Sequence, residues 1–275
     1  MSRNKSKVML ITGAASGIGA ATARQATEAG YKVIIADINE AGANAAAASI
    51  GPAGSAKRLD ICSPANWETV LDEIFAEHGH LDVLINNAAT VHTGFARDVP
   101  IAKHQHTMDT NFMGAATGML AALARFKAQG FGHITTICSM NGFMPFPGLA
   151  SYAAAKHALR AFHHAVAIEE RNSPVIFTIV YPTATETPML EKEAEDDAMA
   201  LAFAGNSVTP DHVAAIILKA IKRKSLEAYI PAERGKFVRR IGVNPRGLKA
   251  LFERNEIIGA ERLKARRAAT AQAKK

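Results

Sequence analysis

Residues 8 to 23, VMLITGAASGIGAATA, constrain the fold more than any other stretch of this chain. An unbroken apolar and β-branched run stops at a turn carrying Gly13, Gly17 and Gly19, and an alanine-rich segment follows. A run without polar alternation reads as a strand buried on both faces, the pattern of a parallel sheet. The glycines let the backbone turn sharply and come close to a ligand. The helix start behind them presents unpaired N–H groups, so strand, turn and helix together make a seat for a pyrophosphate.

The same alternation continues along the chain. Strand-like runs fall at 8–12, 32–36, 56–60, 82–86, 133–138, 175–180 and 227–230. Helix-like stretches lie between them at 17–29, 64–77, 104–128 and 151–170, and the alanine-rich 41–49 also reads as helix. Strict alternation predicts an α/β fold, a Rossmann-like doubly wound parallel sheet of about seven strands with helices on both faces. Ligands of such sheets sit at the carboxyl ends of the strands, where strand order reverses. Residues 1–231 form this domain, and 232–275 read as a basic C-terminal extension packed on or near it.

Charge is unevenly placed. The chain carries +7 overall, yet residues 219–275 hold 17 Lys or Arg against 5 Asp or Glu, a net +12 that leaves −5 for residues 1–218. This argues against a nucleic-acid binder, since the excess is confined to the tail and lacks interleaved aromatics. The tail leaves three readings open: a solvated helical extension, a contact with an anionic membrane surface, or a dock for an acidic partner. The N-terminus has no signal-peptide pattern and no run of about 18 apolar residues occurs. With Cys62 and Cys138 read as free thiols, the expected location is cytoplasmic.

The second strand run ends in IIADIN, and Asp37 lies 24 residues past Gly13. A carboxylate there accepts hydrogen bonds from ribose hydroxyls and repels a 2′-phosphate. No Lys or Arg occurs in the glycine turn or directly after Asp37, so NAD is expected rather than NADP. In ASYAAAKHAL, residues 150–159, Tyr152 and Lys156 are four apart and share one helix face. An ammonium beside a phenol, joined by the charge of an oxidised nicotinamide, would lower the phenol's pKa and fit it to pass a proton.

With these motifs in order, the chain resembles the short-chain dehydrogenase/reductase family over about residues 7 to 231. TGAASGIG (12–19) is similar to the family's cofactor loop, LDI (59–61) to its acid after the third strand, and NNAA (86–89) to its N-N-A-G. TNF (110–112) and YPTATETPM (181–189) match two further segments. The resemblance implies a catalytic set of Asn111, Ser139, Tyr152 and Lys156. Ser139 would steady charge on the substrate oxygen, and Asn111 would hold a water linking Lys156 to solvent. It also implies that Gly13, Ser16, Gly17, Ile18 and Gly19 seat the cofactor phosphates. Asp37, Asp60 and Ile61 would hold its adenosine end, Asn87 and Ala88 its floor, and Pro182 and Thr187 its nicotinamide, with Tyr152 and Lys156 at the ribose. Two positions depart from the family: Ala89 and Thr183 stand where glycine is usual.

The substrate side is read from Asn141, Phe143 and Met144 after Ser139, and from Met189 and Leu190 in the segment 187–205, where the family has a mobile lid. Met199 and Phe203 extend its apolar face, and apolar walls favour an apolar alcohol or ketone. The pairs HGH (78–80) and HQH (104–106) lack a completing ligand set, so no metal is expected, and the pair at 163–164 reads as structural or interfacial. The leading function is hydride transfer between NAD(H) and a secondary alcohol or ketone that is steroid-, lipid- or aromatic-like. The alternatives are a 3-oxoacyl-carrier reductase, against which Asp37 argues because such reductases usually use NADPH, and a non-catalytic NAD-sensing regulator. The resemblance further implies a homodimer or homotetramer built on the helices that hold Asn111 and Tyr152.

Overall fold

The computed structural model describes residues 6–273. The chain runs β1 (Val8–Thr12), α1 (Gly17–Glu28), β2 (Lys32–Asp37), α2 (Glu40–Ser49), β3 (Gly54–Arg58), α3 (Pro64–His78), β4 (Val83–Asn86), α4 (Ile101–Met108), α5 (Ala115–Gln129), β5 (Gly132–Ile137), α6 (Ala150–Glu169), β6 (Val175–Pro182), α7 (Pro188–Glu193), α8 (Pro210–Arg223), β7 (Glu227–Ile230), α9 (Arg234–Ile241) and α10 (Pro245–Ala273). The seven strands form one parallel sheet in the order β3-β2-β1-β4-β5-β6-β7. Strand order reverses between β1 and β4, which opens a crevice at their carboxyl ends.

The unbroken apolar runs are explained by burial on both sides. Along β1, Val8 and Leu10 pack into a core with Trp67, Leu71, Ile74, Met119 and Phe126 from α3 and α5. Met9 and Ile11 face the opposite core, with Ala23 and Ala26 of α1 and Val213, Ile217 and Ile221 of α8. Trp67 is fully buried, and its Nε1 donates to the Ile61 carbonyl at 3.0 Å, which ties the turn after β3 to α3.

Two elements differ from the sequence reading. β3 ends two residues early, because the Asp60 N–H donates to Asn66 Oδ1 at 2.8 Å instead of continuing the ladder. The expected single helix 104–128 is two helices joined by a π-helical segment, Asp109–Gly114. Gly114 lies against Ile61, where a Cβ would come within 2.9 Å of its side chain. One inserted residue changes the helical phase there, and Asn111 within the segment is fully buried.

The basic tail folds back over the carboxyl end of the sheet. Val238 of α9 and Leu248 of α10 pack with Met140, Phe143 and Tyr181. Leu263 joins Leu190, Met199 and Phe203 from the segment after β6. Among the described residues no helix is long and apolar enough to cross a membrane. Cys62 and Cys138 are free.

Candidate active site

A cleft of about 970 Å³ opens at the reversal of strand order. Its glycine turn is shaped by backbone packing. Gly13 and Gly17 have φ of +64° and +56°, a region that side chains rarely adopt. A Cβ on Gly13 would lie 2.6 Å from Ala88 Cα, and one on Gly19 would lie 2.5 Å from the Gly13 carbonyl. Asn87 fixes the turn by donating from Nδ2 to the carbonyls of Thr12 and Gly13 at 2.9 and 3.0 Å. Ser16 at the start of α1 makes no capping bond, which leaves first-turn N–H groups for an incoming anion. Gly13, Ser16, Gly17 and Ile18 line the cleft, whereas Gly19 supports the turn from behind.

Asp37 stands at the end of β2 on the cleft wall. Its carboxylate accepts from the N–H groups of Ala15 at 3.1 Å and Asn39 at 2.9 Å, and no cation pairs with it among the described residues. Asp60, Ile61, Asn87, Ala88, Pro182 and Thr187 also line the cleft. A glycine cradle that a Cβ would fill, an uncapped helix start and a ribose-height carboxylate together fit a dinucleotide.

Further along the cleft, β5 delivers Ser139, and the first two turns of α6 deliver Tyr152 and Lys156. Ser139 Oγ accepts from the Asn141 N–H at 3.1 Å, and its hydroxyl is hydrogen-bonded with the Tyr152 phenol. Lys156 is buried and its Nζ donates to the Ile137 carbonyl at 3.0 Å. That Nζ lies 5.6 Å from the centre of the Tyr152 ring.

In the protein without cofactor the electrostatic balance favours the protonated phenol. Burial pushes the Tyr152 phenol well above its ordinary pKa, the negative charge of Glu193 adds to this, and the Ser139 hydrogen bond only partly offsets it. The ring keeps some exposure to the cleft, but the wall around the hydroxyl is dense, and desolvation disfavours the phenolate. Lys156 is committed to a carbonyl and sits over the ring rather than at the phenolic oxygen. Burial lowers its own pKa. The protein alone therefore keeps Tyr152 protonated.

Three other placements bear on the sequence reading. Asn111 does not line the cleft: its Oδ1 accepts from the Thr90 N–H at 2.7 Å and its Nδ2 donates to the Thr90 carbonyl at 2.8 Å. With both amide atoms committed, Asn111 clamps the cleft-lining segment at Thr90. Phe143 also lies outside the cleft. It packs on Tyr181 at 4.9 Å between centroids, with the Arg160 guanidinium 4.1 Å from its ring centre. Asn141, Met144, Met189 and Leu190 do line it. Finally, Ala89 and Thr183 need no glycine, since neither has a positive φ. Thr183 Oγ1 instead accepts from Arg234 Nη1 at 2.8 Å, so this departure from the family ties the tail to the cleft.

Sequence reasoning missed two contributions. The tail helices supply cleft walls through Arg234, Phe237, Leu251, Phe252 and Asn255. Glu193, the last residue of α7, is 9% exposed, lines the cleft, and is pushed up to about 7 by burial. Its spacing offered a signal, because Glu193 is three residues past Leu190 and four past Met189 and so shares their helix face. Among the described residues no group of three or more His, Cys, Asp or Glu is placed to bind a metal. His163 is buried against Thr136, which fits the structural reading.

The family model for short chain dehydrogenases matches residues 7–198. The chain belongs to the short-chain dehydrogenase family. This dehydrogenase is 32% identical over 190 residues to a 3-alpha-(or 20-beta)-hydroxysteroid dehydrogenase of Mycobacterium tuberculosis, covering 69% of this chain and 73% of that one. It is 33% identical over 190 residues to a 3-oxoacyl-acyl-carrier-protein reductase of Escherichia coli, covering 69% and 78%. Among solved structures it is similar to a 3-ketoacyl-acyl-carrier-protein reductase of Brucella melitensis complexed with NADH. That match has a TM-score of 0.74, 28% identity, and coverage of 82% of this chain and 96% of the other. The dehydrogenase is an oxidoreductase that acts between hydroxyl and keto groups.

Proposed function

We propose that this dehydrogenase moves a hydride between NAD(H) and an apolar secondary alcohol or its ketone. The observation that carries this reading is the convergence of Ser139, Tyr152 and Lys156 on the same cleft as the glycine turn and Asp37. Bound NAD supplies the hydride acceptor, or NADH the donor, at the carbon bearing the substrate oxygen. Tyr152 exchanges the proton at that oxygen. Ser139 accepts from Asn141 and shares a hydrogen bond with the Tyr152 phenol; it would turn its proton from the phenol to the substrate oxygen and steady charge there. Lys156 would hold the nicotinamide ribose from its anchor on Ile137. Asn111 keeps the Thr90 segment in place, and a water at Asn111 would have to use its backbone carbonyl.

Asp37 would choose the cofactor. A 2′-phosphate placed against this unpaired carboxylate costs several kcal/mol, so kcat/KM should favour NAD over NADP by at least about a hundredfold. Asp37→Ser should close most of that gap. Turnover with both cofactors, measured on the unmodified protein across a panel of hydroxysteroids, aliphatic and aromatic alcohols and their ketones, tests both statements. A preference for NADPH sinks the assignment to Asp37.

A 3-oxoacyl-carrier substrate is the second reading. The argument against it from cofactor choice weakens, because a 3-ketoacyl-carrier reductase similar to this chain is complexed with NADH. An acetoacetyl thioester in the same panel separates the two.

We further propose a homo-oligomer built on the segment and helices that hold Asn111 and Tyr152. Exposed Met113, Leu120 and Ile168 support it. Sedimentation equilibrium should give a mass of at least two chains, and a monomer at micromolar concentration overturns it. Within the tail, Arg262, Arg266 and Arg267 are spent on Ala204, Asn206, Glu186, Ala194 and Asp197. That supports a tail that walls the site over one that docks on a membrane.

A further inference from the structure

The proposed reaction does not use Glu193, a carboxyl on the wall of the cleft. It sits at the end of α7, nine-tenths buried, on the same wall as Met189 and Leu190. Among the described residues its carboxyl makes no hydrogen bond and no ion pair. Lys192 donates to the Val91 carbonyl at 3.3 Å, Arg266 holds Glu186, and Arg267 holds Asp197. Nothing offsets the burial, which alone raises its pKa. Glu193 is close enough to the phenol for its charge to act on Tyr152. A largely buried carboxyl whose partnerless oxygens still open to the cleft is placed for a ligand to satisfy.

We propose that Glu193 binds a second hydroxyl of the substrate, so that this dehydrogenase acts on diols or hydroxyketones with an apolar frame. The proposal rests on the oxidoreductase reading of the same cleft and deepens it. Ser139 and Tyr152 hold the reacting oxygen, while Glu193 holds another oxygen on the same molecule. Around Glu193 the wall is apolar, formed by Leu149, Met189, Leu190 and Phe146. In such a wall the carboxyl is about half protonated near pH 7; its protonated form offers one O–H donor and one acceptor, its ionised form accepts only, and a hydroxyl can answer either. A site with a buried hydrogen-bonding group discriminates strongly against an analogue that leaves the group unpaired.

The test uses the protein with NAD and three kinds of probe: cyclohexanol, the 1,2-, 1,3- and 1,4-cyclohexanediols, and 2-aminocyclohexanol. At least one diol should exceed cyclohexanol in kcat/KM by about tenfold or more. Glu193→Leu should narrow the diol-over-cyclohexanol ratio of kcat/KM about tenfold, through the diol KM, on top of the change in kcat that it makes to both substrates by removing its charge from Tyr152. Glu193→Gln keeps a donor and an acceptor and should retain most of the diol preference, which guards against a leucine variant that folds poorly. Equal loss on diol and monool, loss confined to kcat, absence of any diol preference, or a preference for the amino alcohol overturns the proposal. Turnover of none of the probes or the wider alcohol panel, with either cofactor, overturns the oxidoreductase reading itself.

Discussion

Tyr152→Phe folds as the parent does and loses roughly 10²–10⁴ in turnover. The ring stays packed beside Leu149 and Leu190, so the change removes one oxygen and little packing. Ser139 keeps its bond from the Asn141 N–H, and the melting temperature should move by only a few degrees. What disappears is the proton carrier at the substrate oxygen. Since burial and Glu193 hold the phenol protonated in the protein alone, the parent should be ready as an acid for ketone reduction at neutral pH. Alcohol oxidation, which needs the phenolate, should rise with pH. The variant should lose this pH dependence along with its rate. Steady-state kinetics in both directions from pH 6 to 10, beside circular dichroism, decides the matter. A folded variant with parental kcat removes Tyr152 from the chemistry.

Deleting residues 245–275 should be the other large effect, and it acts on the substrate side. The deletion removes Leu248 and Leu263, both buried, each worth about 2 kcal/mol of burial. It also removes the two-pronged Arg266–Glu186 pair, at 3.0 and 2.6 Å, and the Arg267 bonds to Asp197 and Ala194. These pairs are partly exposed and add less. The apolar loss alone approaches the margin of an ordinary domain, so the melting temperature should fall by about 8 °C or more. Residues 184–206 lose their cover, because Met199, Ala200 and Phe203 pack under α10. Limited proteolysis should then cut within 184–206 and spare the parent. The kcat/KM for an apolar alcohol should drop more than tenfold while NAD affinity, set at the glycine turn, changes little. A truncated protein with parental melting and kinetics would remove the tail from the site.

Much of this was legible in the sequence because parallel strands buried on both faces leave an unmistakable run of apolar residues. The glycine turn was legible for a related reason, since a position that admits no Cβ leaves one residue type. The unread parts share a different cause. Composition marks Phe143 as apolar but does not say which of two apolar clusters takes it, and the Arg160 guanidinium and the Tyr181 ring draw it away from the cleft. The π-helical insertion at Asp109–Gly114 leaves the residue pattern almost unchanged while altering where Asn111 points. The effect of Lys156 on Tyr152 was a question of competing magnitudes. Charge attraction is visible as spacing, but the desolvation that outweighs it depends on how densely the wall closes. Glu193 was hidden among the acids of EKEAEDD, and only its phase with Met189 and Leu190 singles it out.

The tail's share in the cleft has a consequence for how such a protein can change. The cofactor end is built from residues 12 to 88, and the outer wall of the substrate end from residues beyond 231, with the reacting groups between them. Substitutions at the two ends lie far apart in sequence and share no partner, so their effects should add rather than interfere. The tail can therefore drift toward new substrates while hydride and proton transfer stay under unchanged selection. In a lineage of such enzymes, diversity would accumulate at the last helix, and the reaction itself would be inherited intact.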